Sequence, residues 1–511
     1  MPSFTDAIVV AVLVTCAALA WNRSKASAGA PLPPGPPRHW LLGNLKDFPR
    51  SKIWLRLSEW ADQYGPVMSL SLPGGKTIVV LQTLEAMNDL LDKRGALYSD
   101  RPETVMANEL MGFSSTVTLK QDGPVLRRYR KLCRMALGTS AAERYEPVQQ
   151  DAVTRFVNTM VETHTRRPHG DAEFLAQIRL AAIRSIMGIV YGIQVDDASH
   201  EHVKNAEASI AFFAKALQPG RYLVDIIHIL KYVPAWFPFA GFQREAREAR
   251  EVRERQAELP FRHVVEEMAT GRAPPSFVSL LLSDMSDTSS PDAEQYEPED
   301  IKQVARSMYN AGVDTTNSTL CSFVAAMLMH PNVQTLAQAE VDGFYGGPRK
   351  SQFATPADRA HLPYVNAVIN ETLRWQPAVA LGIPHRIVTT QDDVYKGYLI
   401  PRGSTIIPNI WNVSRTGPDK DTLNDFDPAR YLDDSRRPLD PSYVFGFGRR
   451  VCVGQLVAEN FIFMMVVAIL SSFTVLPALD ADGEVVTTTV EWTGAMANTP
   501  IEFRCRLVPR T

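Results

Sequence analysis

The segment Phe445-Gly446-Phe447-Gly448-Arg449-Arg450-Val451-Cys452-Val453-Gly454 constrains this chain more than any other, because it forms a glycine-rich loop leading straight into an apolar helical stretch, Leu456 to Leu470. A cysteine just ahead of a helix can receive backbone N–H donors and the positive end of the helix dipole, and both favour thiolate over thiol. Thiolate is what a soft ligand to iron requires. Gly448 and Gly454 let backbone or a flat macrocycle approach closely, and Arg450 offers a guanidinium to a carboxylate. A lone cysteine is more often a buried structural residue. Here the surrounding glycines and arginine favour Cys452 as a ligand.

The rest of the composition narrows the class. The chain is 45% hydrophobic and 21% charged, with a formal net charge of -3, as expected of a globular protein with a large core. That balance points to no nucleic-acid partner. The cysteines (Cys16, Cys133, Cys321, Cys452, Cys505) are scattered, odd in number and free of any C-x-x-C pair, so neither a disulfide framework nor a zinc site is expected. A reducing, cytosol-facing compartment fits best.

The N-terminus differs in kind. Ala7 to Trp21 carries no charge, and a span over about residues 4–21 would cover roughly 27 Å of a ~30 Å hydrocarbon core. Ala18-Leu19-Ala20 could instead end a cleaved signal peptide. No Lys or Arg precedes the apolar run, whereas Arg23 and Lys25 follow it, so an anchor with the body on the cytoplasmic side is preferred. Residues 1–30 are therefore read as membrane anchor and start of linker, and 31–511 as the functional domain. The run Pro31-Leu32-Pro33-Pro34-Gly35-Pro36-Pro37 predicts a stiff spacer that holds this body off the membrane. Beyond it, helical periodicity dominates, as in Trp54 to Tyr64, Leu126 to Leu137 and Glu299 to Met329. Short β-type runs, Val67 to Leu72, Thr77 to Leu81 and Thr405 to Pro408, make the class mainly α with minor β. The acidic stretch Asp284 to Asp300 reads as a mobile connection between two halves.

Further segments carry chemistry of their own. Glu371 and Arg374 lie three residues apart on one helix face and can pair. Ala311-Gly312-Val313-Asp314-Thr315-Thr316 sits mid-helix although glycine there costs about 1 kcal/mol and threonines compete for backbone carbonyls. Local opening of the helix at Gly312 would explain the poor helix design.

Taken in order, these segments resemble the cytochrome P-450 superfamily. Its haem loop, F-x-x-G-x-R-x-C-x-G, is met at Phe445, Gly448, Arg450, Cys452 and Gly454, a coincidence on the order of one in ten thousand by residue usage alone. Glu371-Thr372-Leu373-Arg374 matches E-x-x-R, and Pro428-Ala429-Arg430-Tyr431 supplies the second arginine of the family's structural network, here Glu371, Arg374 and Arg430. The Ala311–Thr316 segment resembles the A-G-x-[DE]-T oxygen-activation motif, which implies proton delivery by Asp314 and Thr315. Either His385 or Arg386 stands where the family places a propionate partner, and Arg130 holds the arginine position of a W-x-x-x-R helix whose tryptophan is Leu126 here. Arg127, Lys131 and Arg134 read as a solvated basic face.

The resemblance implies the superfamily's triangular fold, haem b (iron protoporphyrin IX) on the Cys452 thiolate, and insertion of one oxygen atom from O2 into an organic substrate. Thiolate ligation favours O–O cleavage over reversible oxygen binding. It further implies an endoplasmic-reticulum enzyme served by a separate NADPH-cytochrome reductase, with cytochrome b5 as a second candidate donor. The texture from Trp375 to Arg386 is similar to fungal secondary-metabolism members. Two alternatives stand beside this reading: a haem-thiolate isomerase or dehydratase, and a haem-binding sensor without turnover. The intact Asp314 and Thr315 speak against both. Expected substrate contacts are Val105 to Phe113, Ile210 to Leu217, Ala378 to Ile383 and Trp492 to Met496, mainly apolar, which suits a lipophilic compound such as a terpenoid or polyketide.

Overall fold

The computed structural model describes residues 29–511 except Leu41, Arg50, 167–172, Pro219, 287–295, 349–353, Asp419 and Ala481. The expected membrane span at 4–21 lies outside the described residues. Most of the body is helical. Its longer helices are α1 (Ile53–Tyr64), α2 (Pro124–Leu137), α3 (Thr139–Arg166), α4 (Glu173–Tyr191), α5 (Glu201–Ala216), α6 (Gly241–Ala269), α7 (Phe277–Ser286), α8 (Pro298–Met329), α9 (Pro331–Tyr345), α10 (Pro363–Trp375) and α11 (Gln455–Ser472).

Helix α8 starts where a proline can occupy the first turn without losing a hydrogen bond, and Glu297 with Asp300 completes a capping box. Asp300 also takes a bidentate contact from Arg128 at 2.6 and 3.0 Å, which ties α2 to the start of α8. Helix α11 is apolar on every side, and Phe461 to Ser472 are all buried, so it is a core helix. Helices α4 and α11 contain the stretches long and apolar enough to cross a membrane, Phe174–Tyr191 and Gln455–Ser472, and both are mostly buried inside the protein. The largest core cluster joins α8 (Phe323, Val324), α10 (Val368, Leu373) and α11 (Phe463, Ile469) around residues with almost no exposed surface.

The minor β part is a four-stranded sheet in the order β1 (Val67–Leu72), β2 (Lys76–Leu81), β6 (Thr405–Pro408), β3 (His385–Arg386), with two-stranded pairs β4 (Asp393–Tyr395) with β5 (Tyr398–Ile400) and β7 (Phe473–Pro477) with β8 (Cys505–Pro509). Strand β3 pairs His385 with Ile406 on β6. This register carries His385 from the sheet edge into the interior.

One expectation changes. The proline run is not a free spacer: Pro34 O accepts from Ser69 N at 2.8 Å, Pro33 O accepts from Ser69 Oγ at 2.6 Å, and Pro31 O accepts from Leu399 N at 2.7 Å. Prolines cannot donate, yet their carbonyls can dock on a strand edge. Gly35 is required there because a Cβ would stand 2.0 Å from Ser69 O. Of the acidic connection, residues 287–295 lie outside the described residues, while its flanks belong to α7 and α8 and are tied by Tyr296 Oη to Asp284 Oδ2 at 2.7 Å.

Candidate active site

The loop before α11 is built from backbone geometry that only some residues tolerate. Gly446 and Gly448 have φ of 86° and 48°, and a Cβ on Gly448 would lie 2.5 Å from Leu91 O. Cys452 N donates to Phe445 O at 2.7 Å, which folds the loop back on itself, and Phe445 packs partly buried against the main core. Gly454 is the N-cap of α11, and its missing side chain leaves space beside Cys452, whose Sγ a Cβ would meet at 4.0 Å. Cys452 retains accessible surface, yet burial pushes its thiol pKa up. These facts agree if the thiol lines an interior space rather than the outer surface. The Gly454 N–H and the Arg130 charge act in the expected direction, toward thiolate, but burial outweighs them in the chain alone.

Beside this thiol the structure gathers cations. Arg130, from α2, donates to Val451 O at 2.9 Å. Arg450 donates to Ser99 O at 2.7 Å and Lys120 O at 2.6 Å. Arg101, which the sequence reading missed, donates to Thr118 O at 3.0 Å, Ile383 O at 2.6 Å and Pro384 O at 2.8 Å. His385 is buried with Nδ1 2.8 Å from Tyr98 O. Among the described residues none of Arg101, Arg130 or Arg450 forms an ion pair. The nearby acids are engaged elsewhere, Asp122 with Arg449 at 3.1 Å and Asp100 with Arg386 at 3.5 Å. Burial is the main cause that lowers the pKa of Arg101, Arg130 and Arg450, the last to about 10, and repulsion adds to it, from Arg450 and Arg130 at Arg101, from Arg134 at Arg130 and from Arg130 at Arg450. His385 is held well below the usual range, first by burial and then by Arg101. Buried positive charge without a counter-charge is costly, so the cluster fits a ligand bearing carboxylates. Haem, with its propionates, meets that requirement. Of the pair His385 and Arg386, only His385 lacks a carboxylate, since Arg386 also reaches Glu103 at 3.4 Å. Leu126, at the expected tryptophan position, is buried and donates nothing.

Glu371, Arg374 and Arg430 form a buried ion-pair network. Glu371 takes two bonds from Arg374, at 2.6 and 2.8 Å, and one from Arg430 at 3.1 Å, with all three side chains essentially inaccessible. Arg374 also donates to Ser414 O and Leu423 O, at 2.9 and 2.7 Å, stitching α10 to the chain beyond the sheet. Glu371→Gln removes the one carboxylate that, among the described residues, pairs with two buried guanidiniums. A loss of about 3–5 kcal/mol is expected, read as a lower denaturation midpoint with haem retention falling in parallel. A variant with the wild-type midpoint would show that the network contributes no stability.

The mid-helix motif differs from expectation. Helix α8 runs unbroken through Gly312, where a Cβ would meet Ile186 of α4 at 3.1 and 3.3 Å. Gly312 is thus explained by close helix packing, not by an opening of the helix. Thr315 Oγ1 donates to Ala311 O at 2.8 Å, and Thr316 is buried. Asp314 is not a free surface acid: Arg179 of α4 donates to it at 2.9 Å and to Glu207 of α5 at 2.6 and 2.9 Å. No spacing in the sequence reveals Arg179 or Glu207, since each comes from a different helix.

The expected contact regions Val105–Phe113 and Ile210–Leu217 do meet, with Phe113 and Phe213 rings 5.1 Å apart. Trp492 instead packs on Trp375 at 5.2 Å and donates to Ser322 Oγ at 3.1 Å, within the core.

Among the described residues, a helical body thus presents a cysteine thiol near cations with which no carboxylate pairs, a lining that fits a flat, dianionic cofactor. The chain belongs to the cytochrome P450 family, whose model matches residues 33–502. It is 36% identical over 492 residues to the cytochrome P450 monooxygenase COX2 of Coprinopsis cinerea, covering 94% of this chain and 90% of that protein. It is 35% identical to the cytochrome P450 monooxygenase claR of Ampulloclitocybe clavipes, covering 94% and 87%. Among solved structures it resembles a zebra fish cytochrome P450 determined with abiraterone, with a TM-score of 0.69 at 22% identity over 90% of this chain. The chain is thus a monooxygenase of that family, with its mainly helical fold and its haem.

Proposed function

We propose that the protein uses haem b, on the Cys452 thiolate, to insert one atom of O2 into a lipophilic small molecule of fungal secondary metabolism, a terpenoid or polyketide. The observation that carries the cofactor assignment is the cluster of buried Arg101, Arg450 and His385 with half-buried Arg130 near Cys452, which forms no ion pair among the described residues. In that reading Arg101, Arg130, Arg450 and His385 hold the propionates. A carboxylate at His385 would raise its pKa and turn the second ring nitrogen into a donor. When bound, the haem supplies the redox chemistry. The chain's own residues exclude water, seat the substrate against the apolar 105–113 and 210–217 segments, and hold protons at Asp314 and Thr315.

Electrons come from NADPH through a separate reductase or cytochrome b5. The body is cytoplasmic, anchored in the endoplasmic-reticulum membrane by residues 4–21. Support for a membrane-lying face comes from the exposed apolar residues between α5 and α6, including Leu223, Ile229, Trp236 and Phe239, an unusual concentration for a surface facing water. The fungal source of the curated relatives supports the metabolic assignment.

Reconstitution with reductase, NADPH and isotopically heavy dioxygen should yield product carrying one labelled oxygen from a panel of terpenoid and polyketide precursors. Product formed without NADPH and without label would favour the isomerase or dehydratase. Haem uptake with no NADPH-dependent product from any precursor would favour the sensor.

A further inference from the structure

Arg179 of α4 places one guanidinium between two carboxylates. Its Nη2 donates to Glu207 Oε2 of α5 at 2.6 Å and to Asp314 Oδ1 of α8 at 2.9 Å, and its Nε donates to the same Glu207 oxygen at 2.9 Å. Glu207 therefore takes two of these three bonds, and Asp314 shares a nitrogen with it. One positive charge against two negative ones leaves the trio a proton short of neutral. The other Glu207 oxygen, Oε1, is buried without a partner, as is Tyr309 Oη on α8.

The trio is open to its surroundings, since the side chains of Arg179, Glu207 and Asp314 keep 28, 34 and 24% of their surface accessible. On either side of Asp314, Ala311, Gly312 and Thr315 also keep accessible surface, although α8 is buried at 304–309 before them and at 316–327 after them. Helix α8 thus faces open space along this one turn, and Asp314 ties the turn to Arg179. A carboxylate gripped alone by a guanidinium is held as the anion, and a second carboxylate on the same guanidinium loosens that grip. Burial raises the Glu207 pKa above the ordinary carboxylate range, with Arg179 opposing the rise and Asp314 adding to it. From α8 the Tyr309 phenol also bears on this site, and its own pKa is raised, first by burial and then by Glu207. Helix α6 meets α8 one turn before Asp314 through neutral Gln256, which donates to Asn310 Oδ1.

We propose that Glu207 is a positioning residue for the oxidation: by holding Arg179 it leaves the Asp314 carboxylate able to exchange protons, and when Glu207 is neutral Arg179 closes on Asp314. The inference rests on the monooxygenase reading, with protons passing through Asp314, and adds to it the group that governs that passage.

The test uses full-length, haem-loaded protein with reductase and NADPH, and reads product and hydrogen peroxide per NADPH for a terpenoid or polyketide precursor that wild type converts. Glu207→Gln keeps the shape and removes the charge. It should lower product per NADPH roughly 10-fold and raise peroxide, a smaller effect than the about 10²- to 10⁴-fold of a lost proton donor. In an Arg179→Gln background the same change should have no further effect, because no guanidinium is left to close on Asp314. The pH profile supplies a readout that loss of packing would not move. Wild-type product per NADPH should fall as pH drops through the Glu207 titration, above the ordinary carboxylate range, because protonated Glu207 releases Arg179. Glu207→Gln should be low across that range and show no such fall. Wild-type coupling in Glu207→Gln overturns the proposal, and so does an acid-side fall that survives the substitution. An equal loss in both backgrounds would make Glu207 scaffolding and overturn it as well. The long-wavelength Soret band of the reduced, CO-treated wild type and its NADPH-dependent product are recorded first. With both present, failure belongs to Glu207 alone; without them the monooxygenase reading fails, and this proposal falls with it.

Discussion

Cys452→Ala protein, reduced and treated with carbon monoxide, should lack the long-wavelength Soret band that wild type shows. The band requires sulfur as an anionic axial ligand, and among the described cysteines the others are buried away from any accessible space. The variant should still fold. Cys452 Sγ supports no packing that alanine would lose beyond one sulfur, while the loop is held by the Cys452 N to Phe445 O bond and by positive-φ glycines, none of which involves the side chain. Residual haem held through the Arg101, Arg130 and Arg450 cluster would absorb at shorter wavelength. A variant that keeps the long-wavelength band would move the ligand elsewhere and remove the basis of the proposed function.

Thr315→Ala should leave haem uptake, substrate binding and NADPH consumption largely intact while product falls, by about 10²- to 10⁴-fold when a proton-donating water is no longer positioned by the Thr315 oxygen, and hydrogen peroxide rises. The geometry explains why the hydroxyl can serve. With its own proton given to Ala311 O at 2.8 Å, the Thr315 oxygen is left as an acceptor, able to fix a water beside it. Asp314→Asn should slow overall turnover instead if, as proposed, the carboxylate that Arg179 holds passes protons toward the interior. An amide cannot. A Thr315→Ala enzyme with wild-type product yield and no extra peroxide would leave the segment with only a packing role, like the one Gly312 already has against Ile186.

Much of the site was legible along the chain because its parts are local. The loop from Phe445 to Gly454 is a contiguous run whose glycines must satisfy backbone geometry within the loop itself. Glu371 and Arg374 are neighbours on one helix turn, and the long apolar periodicity of α8 and α11 reports burial directly. Arg101 was not legible for a different reason. It lies in a loop, follows an aspartate and precedes a proline like many surface arginines, and its partners are backbone carbonyls of segments far away in the chain, with no carboxylate among the described residues. Arg179 and Glu207 escaped for the same class of reason: each acquires its meaning from another helix.

What the sequence by itself determined is therefore the family, the helical class and the local hydrogen-bonded pairs, since these depend on spacing within one or two turns. Only the tertiary structure decided which arginines have no acid partner among the described residues, that the proline run docks on a strand edge, and that Asp314 is clamped rather than free. Those properties follow from burial and from distances between segments far apart in the chain, and the cost of a buried charge depends on its three-dimensional neighbours rather than on its place in the sequence.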